Sequence, residues 1–109
     1  MRGILFASFS LLAALSLAPG AGALLLPGSV NVTDFAFVDG TTGTDLTLAS
    51  GSVTWVTTQG FHTVTADDGS FDSGLLVAGQ AFTANVAGPA VISYSCTLHA
   101  GMVGTLVVG

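Results

Sequence analysis

After Pro27 the chain consists of short stretches in which apolar and polar residues alternate, separated by turn-forming residues such as Asp39-Gly40 and Gly88-Pro89. A two-residue alternation is typical of β-strands that bury one face, and no stretch shows the repeat of an amphipathic helix. The pattern predicts strands at residues 30–38, 45–48, 52–58, 62–66, 80–86, 90–96 and 104–108. We therefore expect an all-β domain.

The stretch at residues 90–96 indicates which side chains face the core. By the two-residue repeat, Ile92, Tyr94 and Cys96 share one face, and Ser93 and Ser95 share the other. The chain's one cysteine therefore points the same way as the core residues. About seven or eight short strands in a domain of this size fit a Greek-key two-sheet β-sandwich, and we predict that fold.

The N-terminus has the three parts of a secretory signal peptide. Arg2 supplies the positive charge, residues 4–17 form an apolar core, and small residues end at Ala23. We predict cleavage after Ala23, which leaves one domain over residues 24–109 in the periplasm or outside the cell. Residues 4–26 are also uncharged and long enough to cross a bilayer, so a retained membrane anchor stays an open alternative. Either reading places the domain outside the cytoplasm.

The charge of the chain excludes one class of partner. Arg2 is the only Lys or Arg, the six acidic residues are all aspartates, and the formal net charge is −5. Proteins that bind nucleic acid neutralise phosphates with Lys and Arg, so nucleic acid is excluded as a partner. If electrostatics steers an encounter, the sign of the charge favours a basic partner.

Four side chains after the N-terminal segment are candidate metal ligands. His62, Cys96, His99 and Met102 are all the histidine, cysteine and methionine of the predicted mature domain, and the last three form Cys-x2-His-x2-Met between two predicted strands. A thiolate and two imidazoles with a weak axial thioether are the ligand set of a blue-copper site. Imidazole suits Cu(II), and the sulfur ligands suit Cu(I). The set therefore points to one copper ion that cycles between both states.

Each of these residues also has an ordinary structural role. A buried cysteine behaves as a small apolar side chain, and Met102 is able to fill a gap in the core. On that reading the domain is a metal-free adhesion module of the immunoglobulin type, and the Cys-His-Met spacing is a coincidence. All the histidine, cysteine and methionine residues of the predicted mature domain belong to this one candidate site, which favours a metal site over separate structural roles.

The mature domain resembles the cupredoxin family, in its plastocyanin and amicyanin branch, from about Val30 to the end. The motifs that carry the resemblance are SVTW, FHTVTADDGSFDSG, GQAFTANV and ISYSCTLHAGMVGTLVV. The short Cys-x2-His-x2-Met loop is similar to that of amicyanins. The resemblance implies type 1 copper on His62, Cys96, His99 and Met102 in a soluble one-electron carrier of the periplasm or extracellular space.

The resemblance also implies how partners dock. In relatives the histidine of the cysteine loop reaches the surface through a small apolar patch, which here corresponds to His99 with Leu98 and Ala100. We expect a monomer whose protein redox partners dock there transiently. Relatives commonly have Asn after the first histidine, whereas this chain has Thr63, so the hydrogen bonds around that ligand are expected to differ.

Two other functions use a similar domain. Copper oxidases and nitrite reductases resemble it, but their type 1 cysteine is flanked by a histidine that serves a second copper, and here the flanks are Ser95 and Thr97. We therefore predict no enzymatic activity and no small-molecule substrate. Periplasmic copper storage or delivery would use the same four ligands, and it stays open as the alternative to electron transfer.

Overall fold

A computed structural model describes residues 28–109. Within them, the sequence forms ten short β-strands, and no helix is both long and apolar enough to cross a membrane. The predicted signal peptide and the alternative membrane anchor lie outside the described residues. The strands are β1 Ser29–Thr33, β2 Ala36–Asp39, β3 Leu46–Ala49, β4 Ser52–Thr57, β5 Phe61–His62, β6 Thr65–Ala66, β7 Leu76–Val77, β8 Ala81–Asn85, β9 Ala90–Ser95 and β10 Val103–Val108.

The strands form two four-stranded sheets and one small ribbon. One sheet has the order β3-β10-β9-β6, the other has the order β2-β1-β4-β8, and β5 pairs with β7. Both large sheets are mixed, because β10 runs parallel to β3 and β1 runs parallel to β4, whereas their other neighbours are antiparallel. This arrangement confirms the predicted all-β sandwich.

An aromatic cluster lies between the two sheets. Trp55 from β4 and Tyr94 from β9 are buried and meet at a ring-centroid distance of 5.3 Å. Phe37 from β2 meets Tyr94 edge to face at 4.7 Å, a favoured geometry for aromatic pairs. Ile92, which is predicted on the same face as Tyr94, is buried as well, and so is Leu106 on β10. The alternation at residues 90–96 therefore identified the core face of β9 correctly.

Two predicted strands are each divided in the structure. Residues 30–38 form not one strand but the antiparallel pair β1 and β2, with Asp34 and Phe35 in the turn between them. The apolar repeat of Val30 and Val32 breaks at Asp34, and Phe37 is buried in the opposite phase, so the turn coincides with a change of phase that the prediction of one strand did not use. Residues 62–66 are likewise divided between β5 and β6, and the two-residue strand β7 was not predicted.

Several strands end at the same edge of the sandwich. β1 and β4 are parallel, so Asp34 after β1 and Gln59 after β4 come together. Cys96 directly follows β9, whose last residue, Ser95, pairs with Val103 at the start of β10. The segments that leave these strands form the candidate site.

Candidate metal centre

The loop between β9 and β10 returns on itself through two backbone hydrogen bonds. The Cys96 N–H donates to the Met102 carbonyl oxygen at 3.0 Å, and the Met102 N–H donates to the His99 carbonyl oxygen at 3.2 Å. Gly101 has a φ of +83°, a left-handed conformation that glycine adopts without a steric cost. The loop therefore holds all three of its candidate ligands within one tight turn.

His62 reaches this loop from the short strand β5. Its Nδ1 lies 3.8 Å from the Cys96 Sγ, and the His99 Nδ1 lies 3.4 Å from the same sulfur. One ligand atom from each of these three residues lies within 4.8 Å of the others. The structure thus brings together side chains that are more than thirty positions apart in the sequence, with both Nδ1 atoms beside the sulfur.

Met102, the fourth predicted ligand, belongs to the same loop. The residue is 2% exposed, and its backbone is hydrogen-bonded to both Cys96 and His99. Met102 is therefore buried next to two of the clustered residues along the backbone, and its role as a ligand stays a prediction.

The site is enclosed on one side and open on the other. His62 and Cys96 are 0% and 4% exposed, whereas His99 is only half-buried. Three large apolar side chains are exposed at this end of the molecule, namely Phe35 at 65%, Phe61 at 63% and Leu98 at 52%. The Phe35 ring meets the His99 ring edge to face with a centroid distance of 4.8 Å. His99 is consequently the one of the three clustered side chains that reaches solvent.

Thr63 connects the β5 segment to the cysteine loop. Its backbone N–H points at the Cys96 sulfur at 3.5 Å, and its hydroxyl accepts the Thr97 N–H at 2.9 Å. The same hydroxyl lies 3.1 Å from the hydroxyls of Thr97 and Thr65. Thr63 stands where relatives commonly have Asn, and its hydroxyl is hydrogen-bonded directly to Thr97 of the cysteine loop.

Asp34 is a neighbour of the site that the sequence pattern did not indicate. Its Oδ1 lies 2.9 Å from the His62 Nε2, on the side of the imidazole away from the sulfur. The two residues are 28 positions apart, and only the pairing of β1 with β4 brings them together. No local motif signals this contact, because it depends on where the β1–β2 turn falls.

No protein-family model and no curated protein sequence matches the chain. Among solved structures, an oxidised variant of amicyanin is similar over 86% of this chain and 87% of that chain, at 20% identity and a TM-score of 0.65. A purple cupredoxin from Nitrosopumilus maritimus is similar over 75% of this chain and 99% of that chain, at 20% identity and a TM-score of 0.60. These similarities show that the chain has the cupredoxin fold.

A copper-containing nitrite reductase from Thermus scotoductus is also similar, with 20% identity and a TM-score of 0.63. The match covers 91% of this chain but only 24% of the reductase. The fold of residues 28–109 is therefore shared by a small protein and by one part of a much larger enzyme.

Proposed function

We propose that this protein binds one copper ion in a type 1 site and acts as a soluble one-electron carrier. The ligands are the Nδ1 atoms of His62 and His99, the Cys96 thiolate and, more weakly, the Met102 thioether. The observation that carries the proposal is that three of these ligand atoms lie within 4.8 Å of one another at one end of a cupredoxin fold. The donor set, with one thiolate, two imidazoles and one thioether, fits copper in both oxidation states.

The protein residues supply a fixed geometry for this chemistry. A bound copper ion supplies the one-electron couple, and the chain holds the ligands so that they move little between the two states. The rigidity comes from the backbone bonds that close the cysteine loop and from the Thr63 hydroxyl that anchors it. The Thr63 N–H beside the Cys96 sulfur also stabilises negative charge on the thiolate.

Electrons are proposed to enter and leave through His99. This imidazole is half-buried, and the apolar side chains of Phe35, Phe61 and Leu98 are exposed around this end of the protein. Small, weakly bound interfaces are typical of electron-transfer encounters. A monomer that docks its redox partners briefly fits this surface, and the net charge of −5 favours partners that are basic. Export by the N-terminal signal would place these encounters in the periplasm or outside the cell.

Copper delivery with the same ligands is the competing proposal. Delivery requires that a partner reach the ion and take over its ligands. The almost complete burial of His62, Cys96 and Met102 leaves His99 as the only partly exposed ligand, which favours electron transfer over exchange. Slow loss of copper to a chelator supports the carrier, and rapid loss supports delivery.

An enzymatic role has less support. A copper-containing reductase of this fold would need a second copper centre with its own histidine ligands. The chain contains no histidines besides His62 and His99. We therefore propose that the protein turns over no small-molecule substrate.

An optical titration of the purified domain with copper(II) tests the proposal. We expect an intense blue thiolate-to-copper band that ascorbate bleaches, and we expect Cys96→Ser to abolish it. Ser95→Ala is the matched control, because it changes the neighbouring residue and keeps the thiol. A wild-type protein that folds but stays colourless with copper would refute the type 1 site.

A further inference from the structure

The carboxylate of Asp34 lies on the outer side of His62, opposite the sulfur. The Asp34 Oδ1 is 2.9 Å from the His62 Nε2, while the His62 Nδ1 is 3.8 Å from the Cys96 Sγ. A carboxylate oxygen only accepts hydrogen bonds, so the Nε2 must carry the proton. The other ring nitrogen, Nδ1, is then left with its lone pair free for a metal.

The surrounding residues hold Asp34 in this place. The Gln59 Oε1 accepts the Asp34 N–H at 3.0 Å and also binds the Thr33 hydroxyl. The Thr58 N–H donates to the Val32 carbonyl at 2.8 Å, which fastens the end of β4 to the end of β1. These bonds fix the backbone at Asp34, from which the carboxylate reaches His62.

Gly60 leaves the space that this contact needs. Its φ is +74°, and a Cβ at this position would overlap the Asp34 carboxylate and lie 3.0 Å from the His62 Nε2. Any side chain at residue 60 would therefore compete with the contact between Asp34 and His62. The left-handed conformation and the missing side chain at Gly60 therefore both leave room for the contact between Asp34 and His62.

We propose that Asp34 is a positioning residue that fixes the tautomer and orientation of His62 and stabilises Cu(II) over Cu(I). This inference rests on the proposed copper site. Carboxylate partners of metal-bound histidines orient the ring and make it a stronger donor. A negative charge next to the ligand favours the more positive ion, so Asp34 lowers the reduction potential. The side chain of Asp34 is 37% exposed, and water therefore screens part of this charge.

Two substitutions separate the charge from the hydrogen bond. Asp34→Asn keeps an oxygen acceptor and removes the charge, whereas Asp34→Ala removes both. Asp67→Asn is the matched control, because it removes the same charge from an exposed turn. We expect Asp34→Ala to weaken copper(II) binding by about 10- to 100-fold, the usual cost of losing such a partner. If the loss falls on Cu(II) alone, each tenfold raises the potential by about 59 mV.

NMR of the metal-free protein provides a readout that does not depend on copper. We expect the wild-type His62 ring to carry its proton on Nε2 and to exchange it slowly, and we expect Asp34→Ala to lose both properties. We expect Asp34→Asn to keep the tautomer and still raise the potential. We expect Asp67→Asn to change neither the tautomer nor the potential.

The outcomes distinguish this inference from the proposed function. Suppose that the wild type turns blue with copper, and that both Asp34 variants keep its copper(II) affinity within twofold and its reduction potential. That result would overturn the inference and leave the copper site standing. A wild type that binds no copper would overturn both. A wild-type His62 protonated on Nδ1 in the metal-free protein would also overturn the inference, whatever the copper spectrum shows.

Discussion

Replacing Thr63 by Val tests whether its hydroxyl fastens the cysteine loop to the sandwich. The two side chains have nearly the same shape, so the substitution removes the hydroxyl and adds little steric change. The hydroxyl accepts the Thr97 N–H at 2.9 Å and lies 3.1 Å from the hydroxyls of Thr97 and Thr65. Thr63 itself is 8% exposed, so a valine there would be buried.

The expected cost follows from these three contacts. A hydrogen bond contributes a net of about 1 kcal/mol to stability, and more is lost when a buried partner is left unpaired. Thr97 is exposed and Thr65 is half-buried, so water replaces part of what they lose. We therefore expect Thr63→Val to lower the free energy of unfolding by about 1–3 kcal/mol. In a domain of this size each 1 kcal/mol lowers the Tm by about 4–8 °C.

Urea unfolding of the metal-free domain, followed by Trp55 fluorescence, measures this loss. Thr83→Val is the control, because Thr83 pairs with Thr54 on an exposed strand and the same substitution there should change stability by less than about 0.5 kcal/mol. The Thr63 N–H beside the Cys96 sulfur is unaffected, so the blue band should persist while copper exchanges faster. Equal stabilities of the two variants would refute the anchoring role of the hydroxyl.

Three further substitutions test the axial ligand and the core. Met102→Gln should lower the reduction potential measured by voltammetry, because a harder donor favours Cu(II), and an unchanged or higher potential would count against Met102 as a ligand. Tyr94→Phe should change the free energy of unfolding at pH 7 by less than about 1 kcal/mol, since the buried hydroxyl has no hydrogen-bond partner within the described residues. Burial raises the pKa of Tyr94, so the wild type should lose stability above the ordinary tyrosine value of 10.0, and the variant should lose less; parallel alkaline unfolding curves would contradict this. Gly104→Ala should destabilise the domain by at least about 1–3 kcal/mol in urea, because its Cβ would overlap the Tyr94 ring, and wild-type stability would show that the ring moves aside.

The strand pattern predicted most of the sandwich because burial follows local alternation. Val53 and Trp55 on β4, Tyr94 on β9 and Cys96 directly after β9 are buried as their spacing indicates. The three-residue cluster of His62, Cys96 and His99 was also predictable, because few side chains bind copper and the chain places nearly all of them in one loop.

The rest of the site depends on contacts that the sequence does not encode locally. The apolar repeat of Val30 and Val32 breaks at Asp34, but the prediction of a single strand over residues 30–38 passed over this break, so it missed the turn between β1 and β2 and assigned the carboxylate to a strand. Its contact with His62 arises from the parallel pairing of β1 with β4, which joins residues 28 positions apart. The Thr63 hydroxyl was recognised as a departure from relatives, but its bond to Thr97 required the folded geometry.

The turn between β1 and β2 places two consecutive residues on the two imidazoles of the site. Asp34 contacts His62, and Phe35 contacts His99, although neither residue belongs to the loop from Cys96 to Met102. Variation confined to this dipeptide would adjust both ring environments and leave the loop sequence untouched. A single short segment, remote in the chain, thus offers natural selection or an engineer a means of retuning the proposed copper site without rebuilding the loop from Cys96 to Met102.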